Sequence, residues 1–127
     1  MLAMFSKLFL GQPCVVCKSL GIVNTKTCGH HIIEKGRNAY YKFTPMNGLP
    51  LCVEHHRFGH NIAAHSPNSL EVYKFVDWMK KHLPRHYIWY EENNHRNLGN
   101  KLDLDLAEQI LRDSMDNPAE FEEMIYG

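Results

Sequence analysis

The chain has 127 residues, 44% of them hydrophobic and 22% charged, the composition of one folded domain with no room for a second of full size. Its 14 Lys and Arg cancel its 14 Asp and Glu, so the net charge is zero and taken whole it shows no leaning toward a polyanion or a membrane surface. The cancellation is uneven: positions 1–101 hold 13 basic and 6 acidic residues, whereas 102–127 hold Arg112 and 8 acidic ones, so a body of +7 precedes a tail of −7.

In chain order, residues 1–10 form the longest apolar stretch. Ser6 and Lys7 interrupt it and Gly11-Gln12-Pro13 ends it, well short of the ~20 residues of a membrane-spanning helix. It has no basic leader and no small-residue cleavage site, so no secretory signal and a cytoplasmic location are expected. In that reducing compartment four cysteines are expected to bind metal rather than to pair. Between Cys14 and His65 lie all four cysteines and six of the nine histidines, among many turn formers. Short β-leaning pieces at 21–23, 31–33 and 49–51 predict small strands and loops, closed by a helix starting near Val53. Ser66-Pro67 opens a helix with Leu70, Tyr73, Val76, Met79 and Leu83 on one face, ending before Pro84. Pro84 can open another, carrying Tyr87, Ile88 and Tyr90, and Trp78 and Trp89 are expected in the core. Leu102, Leu106, Ile110 and Leu111 recur at helical spacing, and Asn117-Pro118 begins a last turn with Phe121, Met124 and Ile125.

The strongest local signal is Cys14-x-x-Cys17 matched by Cys52-x-x-His55. Two such knuckles supply four soft or borderline ligands in tetrahedral geometry, which suits structural Zn²⁺. Cys28 is the spare thiol. It is able to replace His55 as a ligand, but a small buried strand residue is the preferred reading. A second constellation interleaves with the first: His30-His31-Ile32-Ile33, Asn47, and His55-His56-Arg57-Phe58-Gly59-His60, with His65 beyond. Neighbouring side chains on a strand point to opposite faces, so one of His30 and His31 can ligate an ion while the other points elsewhere. His56 and His60, four apart, share a helix face.

At these residues the sequence resembles the HNH endonucleases, the zinc-knuckle branch of the ββα-metal (His-Me finger) nucleases common in phages and mobile elements. The resemblance rests on both knuckles, on His30-His31-Ile32-Ile33, on Asn47 in Asn-Gly-Leu-Pro-Leu-Cys, and on His56. The intervals of 16 from His31 to Asn47 and 9 from Asn47 to His56 are in the family's range. One departure is His55, which stands where the family usually has a second cysteine. The resemblance, over about 12–65, implies an α+β fold with a ββα-metal core; the helical spacing adds supporting helices over 66–101 and an acidic helical tail over 102–127.

It also implies roles. His31 would be the general base, since imidazole takes a proton near neutral pH. His30 and His56, with His60 or His65, would hold one divalent ion (Mg²⁺, Mn²⁺, Ni²⁺ or Zn²⁺) that polarises the phosphate. Asn47 would not touch substrate; its amide would tie the loop between the strands and so aim His31. Lys35, Arg37, Lys42 and Arg57 are the candidate DNA contacts. The expected activity is hydrolysis of DNA, by nicking or double-strand cleavage, to 5′-phosphate and 3′-hydroxyl ends. A phage packaging (terminase) partner is an expectation of the family alone. The competing reading is a non-catalytic zinc-stabilised module that binds DNA or protein. For the tail, two roles are open: packing its apolar stripe on the body, or competing with DNA for the basic face.

Overall fold

The computed structural model describes residues 2–33, 41–58, 69–94 and 103–127, with the side chains of 57–58 and 69–73 outside that description. The fold is α+β and mostly helical around one small antiparallel pair of strands. Helices α1 (Leu2–Phe9) and α2 (Val15–Ser19) precede strand β1 (Cys28–His31). Two 3₁₀ turns, Tyr41–Phe43 and Pro45–Asn47, lead into β2 (Gly48–Leu51), and a π-helical turn follows at Glu54–Phe58. Four helices close the chain: α3 (Ser69–His82), α4 (Pro84–Asn93), α5 (Leu104–Asp116) and α6 (Pro118–Tyr126).

The apolar stretch at the start, too short to span a membrane, serves as the central helix of the core. Phe5 and Phe9 of α1 are fully buried and lie against each other with ring centroids 5.0 Å apart. They rest on the strand pair, which glycine makes possible. A Cβ at Gly29 would lie 2.7 Å from Phe9 Cδ2, and one at Gly48 would overlap the Phe9 ring. The register pairs Cys28 with Leu51, Gly29 with Pro50, His30 with Leu49 and His31 with Gly48.

Three expectations shift. The piece at 21–23 forms no strand, since Gly21 is left-handed at φ 78° and Ile22 donates to the Cys17 carbonyl, a turn that closes the first knuckle. The first strand begins at Cys28, three residues earlier than predicted, because pairing with Gly48–Leu51 sets its register. Cys28 is exposed, not buried: on the side of the sheet opposite α1 its partner Leu51 is covered, but the first residue of β1 is not.

The C-terminal helices lie where expected, though the opening at Ser66-Pro67 and the side chains of Leu70 and Tyr73 lie outside the description, and Phe75 and Ala107 are buried whereas Leu106 and Ile110 are exposed. Pro84 and Pro118 both sit at helix starts, where a missing N–H costs nothing. Asp103 caps α5 by accepting from the Leu106 amide. Leu111, Phe121 and Ile125 join the same core as Phe5 and Phe9, with Phe121 edge-on to Phe9 at 5.2 Å. Tyr126 ends α6 by donating to the Pro13 carbonyl at 2.7 Å, while Lys18 stands 4.3 Å over its ring. The acidic tail therefore packs Ala107, Leu111, Phe121 and Ile125 on the body, whereas Leu106 and Ile110 of the expected stripe stay exposed and Leu102 lies outside the described residues. Trp78 is buried and donates to Ser19 Oγ at 3.0 Å, tying α3 to α2; Trp89 is half-buried, edge-on to Tyr41. No described helix is long and apolar enough to cross a membrane.

Candidate metal centre and histidine face

Cys14 and Cys17 are presented by α2, a single turn anchored by buried Val15 and Val16. Cys52 emerges directly from β2, and His55 follows in the π-helical turn, so the strand pair carries the second knuckle to the first. The ligand atoms of Cys14, Cys17, Cys52 and His55 lie within 4.8 Å of one another. Cys52 Sγ is 3.8 Å from both Cys14 Sγ and Cys17 Sγ, and His55 Nδ1 is 3.7, 3.5 and 3.2 Å from Cys14, Cys17 and Cys52. A tetrahedral Zn²⁺ with ordinary bond lengths sets sulfurs about 3.8 Å apart and sulfur from nitrogen about 3.5 Å. A disulfide, at about 2.05 Å, does not fit these separations. The four donors therefore match a structural metal such as zinc, and all three cysteines are buried.

The electrostatics agree. Burial pushes the Cys17 thiol up to about 12, with Cys14 adding to it, and burial pushes Cys52 up as well. Cys14 meets the same burial, but hydrogen bonding from His55 and from the backbone outweighs it and holds the thiol at about 6. Protein groups alone thus support one thiolate, whereas a dication deprotonates the thiols that bind it. Asn24 supports the cluster from outside: its carbonyl accepts from the Cys14 amide at 2.8 Å and its amide points to Cys17 Sγ at 3.9 Å.

The histidines occupy a different neighbourhood. His30 lies stacked against His56, ring centroids 3.2 Å apart and planes at 17°. His31, next along β1, stacks on Phe5 at 4.4 Å and 7°, and its Nε2 is 2.8 Å from the Lys42 carbonyl. Asn47 is fully buried. Its Oδ1 accepts from the Ile33 amide at 2.7 Å, and its Nδ2 donates to the carbonyls of Ile33 and Tyr41 at 2.9 and 3.0 Å. One side chain thus joins the end of β1 to the first 3₁₀ turn, the turn that also supplies the Lys42 carbonyl. Tyr41 is in turn held by α4, its hydroxyl donating to Asn93 at 3.1 Å.

Of the residues singled out in the sequence, the structure brings Cys14, Cys17, Cys52 and His55 into one cluster, and His30 and His56 into contact. Lys42 is half-buried, its ammonium 5.8 Å from the Phe43 ring, and meets His31 through its backbone. His60, His65, Lys35, Arg37 and the Arg57 side chain lie outside the described residues. Sequence reasoning missed Phe5 beneath His31, because helical residues in an apolar stretch carry no mark of which polar group they will meet. It missed Asn24 as well, which only the turn at Gly21 brings back to Cys17. Comparison with family models, curated proteins and solved structures finds no match.

Proposed function

We propose that this chain is a metal-dependent DNA endonuclease of the HNH, ββα-metal type, hydrolysing phosphodiesters to 5′-phosphate and 3′-hydroxyl ends. The observation that supports this reading best is the Asn47 tie. This fully buried amide makes three hydrogen bonds to the chain on either side of the 34–40 segment and none to the cysteine cluster. What it orders is the backbone around His31.

A carbonyl only accepts, so in the neutral ring the bond to Lys42 puts the hydrogen on Nε2 and the lone pair on Nδ1. Stacking on Phe5 restricts rotation of the same ring. A base held in one tautomer and one direction is what removal of a proton from an attacking water requires. His30 and His56, with a third ligand at His60 or His65, would hold a divalent ion, which supplies charge stabilisation at the phosphate and at the leaving oxygen. Lys35, Arg37, Lys42 and Arg57 are proposed to contact the DNA backbone, within the +7 body. The competing reading, a non-catalytic module, needs the Cys3His cluster and the core but has no use for an oriented His31.

The test is nicking of supercoiled plasmid by zinc-loaded protein with added Mg²⁺, Mn²⁺, Ni²⁺ or Zn²⁺, comparing wild type with His31→Ala. Loss of a general base is expected to slow cleavage by roughly 10²–10⁴-fold. Folded protein that cuts with none of these ions, or a His31→Ala variant that cuts as fast as wild type, would overturn the nuclease reading in favour of the binding module.

A further inference from the structure

The acidic tail has an outer face that neither the cysteine cluster nor the histidine face uses. Helix α5 turns Ala107 and Leu111 inward but leaves Leu104 and Leu106 each 57% exposed and Ile110 43% exposed. Two hollows run end to end along it. One lies between Leu106, Ala107 and Ile110 and the 3₁₀ residues Phe43 and Pro45, with Asp103 at its edge. The other lies between Ile110 and Asp113 of α5 and Phe121 and Met124 of α6, with Glu120 at its edge. Ile110 lines both, so they form one groove.

We propose that this groove docks an amphipathic α-helix of a partner protein, apolar along one stripe and carrying Lys or Arg on its flanks. The lining residues fall on helical spacing from Asp103 to Asn117, about 21 Å of helix at 1.5 Å per residue, which a partner helix of about four turns would match. The two hollows, of about 100 and 290 Å³, follow one another along the helix, as successive anchoring side chains of a docked helix would require. Charge selects the occupant. Among the described residues Asp103, Asp113 and Glu120 line the groove and no Lys or Arg does, so it repels DNA and favours a basic flank. A second copy docking the same face would set these carboxylates against one another. The groove and its occupant are independent of the nuclease reading.

The experiment uses the full zinc-loaded chain and a labelled 16-residue helical peptide with leucines at i, i+3, i+4 and i+7 flanked by lysines. Fluorescence anisotropy is expected to show binding that weakens at least tenfold when the flanks are glutamate. Ile110→Asp is expected to weaken it at least tenfold as well. So is Asp113→Lys combined with Glu120→Lys, a pair at exposed positions that keeps the core intact even if Ile110→Asp unfolds. The inference is overturned if the lysine peptide does not bind, if both peptides bind alike, or if the charge-reversed variant binds as wild type does. Concentration-dependent dimerisation abolished by that variant would assign the groove to a second copy and overturn it too.

Discussion

The two ends of the β1–β2 ladder carry different kinds of site. At the Cys28↔Leu51 end the chain runs straight into Cys52, and four donors close around one point with separations that a tetrahedral ion accounts for. At the His31↔Gly48 end His30 and His31 are part-exposed and His56 is buried; His30 stacks on His56, and His31 stacks on Phe5 and meets the Lys42 carbonyl. A closed four-donor cluster has no position left for a substrate, which is the arrangement of structural zinc, whereas catalytic ions keep a position open. What the difference teaches is that the same residue type, histidine, serves stability at one end and orientation at the other. His55 joins three buried cysteines at one point, and His31 lies between Phe5 and the Lys42 carbonyl.

Four measurements separate the two ends, beginning with the largest effect. Cys14→Ser, or chelation of the metal, is expected to unfold the protein. Structural zinc contributes apparent binding energies of about 10–16 kcal/mol in small peptides, on the scale of a whole domain's stability. Circular dichroism and zinc content read this out, and a Cys14→Ser protein with unchanged melting would make the cluster dispensable. Asn47→Ala acts at the other end. It removes three buried hydrogen bonds, two of them to Ile33, while the Tyr41 carbonyl keeps the Thr44 amide, and is expected to cost about 2–3 kcal/mol in urea unfolding while zinc stays bound. Zinc loss in that variant would mean that the ends are not separable.

His86 adds a pH dependence on the same side of the molecule, on α4, which packs against the Pro45–Asn47 turn. Among the described residues its buried Nε2 has no hydrogen-bond partner. Burial, with Arg85 adding to it, holds the imidazole down at about 4. The unfolded chain takes the proton first, so the native state has its full stability above pH 6.5 and loses about 3 kcal/mol as pH falls toward 4. Comparing wild type with His86→Phe isolates this term from acid release of metal, and parallel pH profiles would contradict it. The smallest effect on stability belongs to His31→Ala, expected to shift unfolding by about 1–2 kcal/mol, because the ring is part-exposed and water replaces much of what its bond to Lys42 and its stack on Phe5 contribute. A larger destabilisation would make His31 a structural residue, and the contrast between the two ends would fail.

Much of the cysteine cluster was legible because both knuckles are local. Two ligands three residues apart on one turn are fixed by backbone geometry alone, and only the meeting of the turns needs the fold. The helices after Ser69 were legible for a similar reason: Pro84 and Pro118 mark their starts and the apolar residues recur at helical spacing. Strand position was less so, because a four-residue strand has its register set by its partner and not by its own residues. Cys28 illustrates this, since a residue type that favours the interior opens the strand at an exposed position while its partner Leu51 is buried.

The sequence by itself determined the donor set, the spacing of His30, His31, Asn47 and His56, and the division into a basic body and an acidic tail. Each depends only on residue identity and separation along the chain. The tertiary structure decided that the first apolar stretch is the core helix, that Asn47 spans from Ile33 to Tyr41, and that the tail is part of the core with one groove facing out. These are contacts between segments far apart in sequence, where burial and shape choose the partner and no local pattern records the choice.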